Sequence, residues 1–414
     1  MSFRKTWIAF FVLACFLVFG GPVAADEIVV GFSGPLSGPA AEYGQDILFG
    51  VDLAVKEINA AGGITVGGKK YTFRLEKLDD RVDPTQATNN ARRFKANGAV
   101  AVFNGVFTTI APLLKINQEK GQEFIVMSYT STPKVTELGN KLMVNTTVTF
   151  TPYVEVFSDW ALKKGWKRLG MLVTLGAYGE EWRHTFRDVW TKKGGIVTAD
   201  KPANYYVETD FSAPITAVLA TKPDVLLIGG PSATTALVIE QLRSMGFKGG
   251  LIMVDQAKQD YIAQILKGST IMGDLIGTAG VDSLPGPASV PFEKKFRSAY
   301  KRMVTWECAL NYDAMHALAK AIAAAGTTTD IYKIRASFPK AFPLLADHYP
   351  AECHGINEQG RMFFPCSIQT ITKGKRDPSG LYYWWPKTQQ EFQKYKNESK
   401  IAKGVSHVWL KVAF

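Results

Sequence analysis

Residues Val29–Ile64 read VVGFSGPLSGPAAEYGQDILFGVDLAVKEINAAGGI. The apolar run from Glu27 to Phe32 predicts a short buried strand, which breaks into a Gly/Pro/Ser loop from Ser33 to Tyr43. Ile47, Leu48, Val51, Val55 and Ile58 then fall on one face of a helix, and Gly62 and Gly63 close it. Strand, loop and helix in this order open a parallel α/β unit. The pattern continues outward. Lys69 to Leu78 alternates as a strand, Asp83 caps a helix that has Pro84 at its first position and runs to about Ala96, and Ala99 to Phe103 is the next strand. A helix from about Ile110 and a strand from Phe124 to Met127 follow. A second series has helices at Tyr153–Lys164, Glu180–Lys193, Phe211–Ala220 and Thr234–Met245, and strands at Arg168–Thr174, Asp224–Gly229 and Leu251–Val254. Helices are also expected over Pro291–Met303 and Ala309–Ala325. Two such series predict an α/β fold of two doubly wound lobes with largely parallel sheets. His354–Tyr383 is β-prone, and the polar, charged stretch Lys387–Lys403 reads as a solvated surface extension.

The 414 residues, 46% hydrophobic and 21% charged, fit a globular chain of two or three domains. Residues 1–25 differ. Arg4 and Lys5 precede an apolar run from Trp7 to Phe19, and small residues lead to Asp26, which is the pattern of a cleaved secretory signal. A retained anchor and a lipoprotein signal at Cys15 are the alternatives. Cleavage takes away two basic residues and leaves 46 Lys and Arg against 37 Asp and Glu, so the net charge falls from +11 to +9. No run of five Lys or Arg and no nucleic-acid motif is present, so a nucleic-acid partner is not expected. The five histidines are scattered and there is no CxxC, so neither a metal nor a cofactor is expected. Nucleophile-elbow, HExxH and Walker A spacings are missing, which argues against an enzyme. Asp79, Asp80 and Asp83 read as a strand end and helix cap rather than an acid/base pair.

Taken in order, several segments resemble the periplasmic leucine/isoleucine/valine-binding proteins, the type I substrate-binding proteins of ABC importers. Val29–Ile64 is similar to that family's opening, and Leu78–Gln86 (LDDRVDPTQ) to its DDxxDP segment. Val102–Ala111 (VFNGVFTTIA) and Val126–Thr136 (VMSYTSTPKVT) resemble its two carboxylate-binding loops, and Gly176–Glu180 (GAYGE) a second-lobe turn. Each loop follows a strand and precedes a helix, which is where open α/β sheets bind ligands and where helix amides suit a carboxylate. The resemblance implies that Tyr43 walls a side-chain pocket and that Thr108 binds a carboxylate. It implies further that Thr130 and Ser131 contact both ends of an amino acid and that Tyr178 closes from the second lobe. Taken alone, the hydroxyls read equally as helix caps and Tyr43 as a packing residue.

At the ammonium-binding position, either Asp255 or Gln256 faces the ligand; Asp255 suits a zwitterion, Gln256 an acid without an α-amino group. Asp255 also reads as a plain loop or cap residue. The family's cysteine pair falls at Val82 and Phe107, so Phe107 is expected to intrude on the cleft, and Pro231-Ser232 stands where the family can carry an aromatic. The resemblance implies a monomeric periplasmic protein that captures a small carboxylate, with an apolar or branched-chain amino acid first, and delivers it to an inner-membrane ABC permease. A sensor of the same fold, or a binder of another small acid or amide, is the alternative. It implies three crossings, near Thr147, near Gly280 and near Gly355–Gly360, joining the lobes through a three-strand hinge. Lobe one is then 26–147 with 281–355, and lobe two is 148–280 with 356–414. Three cysteines remain after cleavage and allow three pairings. Asn357–Gly360 reads as a turn between two β segments, so Cys353 and Cys366 are expected to form the disulfide, with Cys308 free.

Overall fold

A computed structural model describes residues 26–283, 286–401 and 406–409; the expected signal, residues 1–25, lies outside them. The first sheet has strands β1 (Asp26–Gly34), β2 (Ile64–Val66), β3 (Lys69–Asp79), β4 (Ala101–Asn104), β5 (Ile125–Ser128) and β6 (Met143–Asn145). Their order is β2-β3-β1-β4-β5-β6, parallel except for β2 against β3. The second sheet has β7 (Arg168–Val173), β8 (Ile196–Asp200), β9 (Val225–Gly229), β10 (Gly250–Met253), β11 (Leu275–Thr278), β12 (Cys366–Thr372), β13 (Lys375–Trp384) and β14 (Ser406–Trp409). Its order is β14-β13-β12-β11-β10-β9-β7-β8. Strands β7 to β11 are parallel, and β12 is antiparallel to both of its neighbours. The fold is α/β with two mixed, largely parallel sheets.

Local sequence explains the elements near the site. Helix Ala41–Ala60 buries Ile47, Leu48, Val51, Val55 and Ile58, and the chain leaves it through Gly62 and Gly63, both at positive φ. Asp83 caps helix Pro84–Ala96 by accepting from the amides of Thr85 (2.7 Å) and Gln86 (2.9 Å). Asp80 is buried and accepts from Ser33 Oγ (3.0 Å) and Asn104 Nδ2 (3.1 Å), so it ties the ends of β1 and β4 together. The acidic run is structural.

Helix Trp306–Ala325 packs on helix Ala41–Ala60 so closely that a Cβ on Gly50 would lie 2.2 Å from the Cys308 carbonyl oxygen. Backbone cannot yield as a side-chain end can. Gly50→Ala is therefore expected to destabilise the protein by about 1–3 kcal/mol, read as a lower midpoint in urea with an unchanged slope.

Two expectations are corrected. Cys308, Cys353 and Cys366 are all free buried thiols, so the Cys353–Cys366 disulfide is absent. The turn is where expected: Gly360 N donates to Asn357 O, and Ile356 bridges Met362. Continued outward, however, that register sets residue 353 against residue 365. A one-residue offset sends a side chain to the other face. Cys353 is instead bridged to Leu344, and Cys366 stands opposite Tyr383. The second correction is the C-terminal tail. Gln389–Glu398 is a helix with a capping box, Glu391 N donating to Thr388 Oγ1 (3.1 Å) and Thr388 N to Glu391 Oε2 (3.2 Å). It buries Phe392 and Tyr395 against Tyr382 and Trp384.

Candidate functional site

The C-terminal ends of β4 and β5 face those of β7, β9 and β10 across a cleft. One cavity of about 30 Å³ is lined by Tyr43, Phe107, Tyr129, Thr130, Ser131 and Thr147 from the first side, with Glu307 beside them; Tyr178, Tyr206, Asp255 and Gln256 line it from the second. A second chamber of about 30 Å³ shares Tyr129, Thr147 and Asp255 with it and adds Val148, Tyr153, Trp306, Leu310 and Pro365. The shared residues make the two one interior, with Val148, Leu310 and Pro365 at its far end. A larger groove of about 480 Å³ lies apart from it, between helices Gln259–Ile265 and Ser289–Tyr300. Its charged lining residues pair with one another, Asp260 with Arg376 and Glu293 with Arg297, and the cleft between the sheets is the candidate site.

The loops place the expected residues as follows. Tyr43 is buried and donates to Gly105 O (3.0 Å). Thr130 and Ser131 line the cavity and are buried. Thr108 does not line it: it is exposed at the rim, with its hydroxyl 3.6 Å from where a Cβ on Gly176 would stand. The next hydroxyl, Thr109, turns inward to donate to Asn104 Oδ1 (2.9 Å), and Phe107 takes the wall. The helix begins at Phe107 rather than near Ile110, and that phase decides which side chain faces the cleft. The loops still offer donors. Among the described residues the amides of Phe107, Thr108, Thr130 and Ser131 have no acceptor, while those of Thr109 and Ile110 bond to Val106 O.

On the second side, Tyr178 donates to Asp255 Oδ1 (2.5 Å) and Trp182 Nε1 donates to the same oxygen (3.1 Å). Ser131, from the opposite side, is a further partner. Burial raises the Asp255 pKa above the usual carboxylate value, and these hydrogen bonds work against that rise. Gln256 Nε2 donates to the Tyr206 hydroxyl (3.1 Å). Both members of the Asp255/Gln256 alternative therefore line the cavity.

Residues that sequence reasoning passed over are equally prominent. Lys258 is buried between Glu42 Oε1 (3.4 Å) and Glu307 Oε2 (3.1 Å), its ammonium 5.5 Å from the Tyr43 ring centroid. Burial alone would lower its pKa, but Glu307, Glu42 and Asp46 hold it above the ordinary value. Ser232 N also donates to Glu42 (3.3 Å). Arg361, only 4% exposed, donates to the carbonyls of Thr130 (3.3 Å), Thr132 (2.9 Å) and Thr147 (3.1 Å) and to Asn145 Oδ1 (2.9 Å). Burial lowers its pKa to about 9. Among the described residues no group of three His, Cys, Asp or Glu is placed to hold a metal ion.

Glu181 meets Lys134 N across the cleft (3.5 Å), and burial raises its pKa to about 7 from 4.5. An open cleft restores solvent, so closing takes up a proton between those values. The closed form carries no penalty below pH 4.5 and its full penalty above about 7. Ligand affinity is accordingly expected to fall as pH rises through this window, and Glu181→Gln to flatten the profile, as titration calorimetry at pH 5 and 8 would read.

Two sheets that present their strand ends across one cleft, with side chains from both around a shared interior, define a two-lobed solute-binding protein. The chain belongs to the periplasmic binding protein family, whose model matches residues 27–374, and within it to the type I leucine/isoleucine/valine-binding group. It is 30% identical over 335 residues to Leu/Ile/Val-binding protein homolog 1 of Brucella suis biovar 1, covering 78% of this chain and 85% of the relative. Among solved structures, the isoleucine complex of a branched-chain amino acid substrate-binding protein from Streptococcus pneumoniae superposes with a TM-score of 0.71 at 20% identity, over 85% of this chain and 98% of that one. An R. palustris solute-binding protein in complex with benzoate superposes with a TM-score of 0.71 at 19% identity, over 85% and 95%.

Proposed function

We propose that this is an exported, periplasmic solute-binding protein, a monomer, that closes its lobes over a small carboxylate and delivers it to an inner-membrane ABC permease without chemical change. The lobes are 26–147 with 281–355, and 148–280 with 356–414. Strand distribution supports this division except at the third crossing: the first sheet ends at Asn145, to which Gly360–Met362 still bond, and the second runs from Arg168 to Thr278 and resumes at Cys366. The observation that carries the reading is the pairing of the amides of Phe107, Thr130 and Ser131, which have no acceptor among the described residues, with a carboxylate wall, Asp255 and Glu307, around the same interior. A zwitterion satisfies both: its carboxylate on the amides, its ammonium toward the acidic wall. The apolar chamber at Val148, Tyr153, Trp306 and Leu310 then takes an apolar side chain. Micromolar binding needs only about −8 kcal/mol net, within the scope of a few charge-assisted hydrogen bonds and modest apolar burial. Relatives named for leucine, isoleucine and valine binding support an amino acid as ligand.

A second reading has a specific observation behind it. Asp255 Oδ1 already accepts from Tyr178 and Trp182, and aromatic rings dominate the walls, which suits a planar acid with no ammonium. Asp255→Asn, titrated with L-leucine and with 4-methylpentanoate, separates the two. Loss of the amino acid alone supports the zwitterion; unchanged binding of both sinks it. Stimulation of the partner permease's ATP hydrolysis by loaded protein tests delivery against a sensor role.

A further inference from the structure

The family match ends at residue 374, yet the chain continues through the long strand β13, helix Gln389–Glu398 and edge strand β14. This segment belongs to the second sheet, but its far end reaches back to the first lobe. Ser399 Oγ donates to Glu352 Oε2 (2.6 Å) and Lys400 N donates to Glu352 Oε1. Glu352 is 1% exposed and lies in the chain that packs on lobe one, where Leu344 bridges Cys353 and Asp313 accepts from Ala351 N (3.2 Å). His354, at the start of the third crossing, lies between Glu352 (3.5 Å) and Glu398 (3.4 Å) and packs against the rings of Trp384 (4.6 Å) and Tyr395 (4.9 Å). Trp306 joins the same aromatic cluster from lobe one. Its indole N–H donates to Ala279 O (2.6 Å) at the second crossing, and it also lines the apolar chamber.

We propose that residues 385–401 form a strap beside the hinge that ties the lobes in their closed arrangement and, through Trp306, sets one wall of the ligand chamber. The ties from Glu398, Ser399 and Lys400 join the C-terminal segment to His354 and the buried Glu352, and the Trp306 tie joins lobe one to the second crossing, in an arrangement where the Glu42–Lys258 contact shows the lobes already together. Ties that form with the lobes closed raise the closed fraction before ligand arrives. They lower the fraction of molecules that must rearrange on binding. The inference rests on hinge closure but not on the identity of the ligand.

The test uses the full mature chain without ligand. Spin labels go on Glu137→Cys and His184→Cys, exposed positions on opposite lobes; the three native thiols are buried. Ser399→Ala/Lys400→Pro removes both donors to Glu352 at the exposed end of the helix, where the fold is least at risk. Trp306→Phe, a second variant, keeps a ring but removes the tie to Ala279. Near-ultraviolet circular dichroism checks that each is folded. The expected result is a bimodal distance distribution in the parent whose short-distance fraction drops at least threefold in either variant. A bimodal parent with the same fraction in both variants overturns the strap alone. A single, unchanging distance in all three proteins overturns the strap together with hinge closure.

Discussion

Lys258→Met should weaken ligand binding by about 100-fold or more while leaving the stability of the ligand-free protein within about 1 kcal/mol. In the closed arrangement the ammonium is the shared counter-charge of Glu42 and Glu307, which are 9% and 2% exposed. Removing one partner of a buried ion pair costs about 3–5 kcal/mol because the abandoned charge stays desolvated, and about 1.4 kcal/mol is a factor of ten in affinity. The three groups come from both lobes, so opening returns the carboxylates to water and confines the cost to the closed, ligand-bound state. Titration calorimetry reads the affinity and urea unfolding the stability. A dissociation constant within threefold of the parent's would show that the triad does not form on closure.

Arg361→Met should destabilise the protein itself, by about 3 kcal/mol. Its guanidinium serves four buried acceptors, on Thr130, Thr132, Thr147 and Asn145, and among the described residues no carboxylate lies within ion-pair distance. Each acceptor left without a donor costs about 1–3 kcal/mol, partly recovered by relaxation. Arg361→Lys should recover only part of the loss, since one ammonium cannot span a planar fork's set of acceptors. Because the loop Thr130–Thr132 carries two of the unbonded amides, ligand affinity should fall in parallel. Less than 1 kcal/mol of destabilisation in equilibrium urea unfolding would contradict this role.

What was legible in the chain follows the range of the interactions. Asp83-Pro84 declares its helix because capping is settled within three residues, and the apolar face of Ala41–Ala60 repeats within one turn. Tyr43, Thr130, Ser131 and Tyr178, which the resemblance put at the site, were brought to the cavity wall. Thr108 was not, because one position of helix phase exchanges a hydroxyl for the Phe107 ring. Cys353 and Cys366 failed through the same sensitivity, a hairpin register one residue away from the symmetrical pairing. The helix Gln389–Glu398 left a local signal, Thr388 three residues before Glu391, but with only Phe392 and Tyr395 buried its apolar face was too thin to outweigh its charge. Lys258, Glu307 and Arg361 left none. Glu42 and Lys258 lie 216 residues apart and Thr130 and Arg361 lie 231 apart, so neither pairing exists before the chain has folded.

The central claim, that two lobes close over a small carboxylate, is tested most directly by small-angle X-ray scattering of the mature protein. The measurement is made alone and with millimolar L-leucine, L-isoleucine, L-valine, L-phenylalanine or benzoate, with a thermal melt on each sample. At least one of these ligands should shrink the radius of gyration and raise the melting midpoint together, since a ligand that binds only the closed native state must do both. Scattering and melting left unchanged by all five would contradict it.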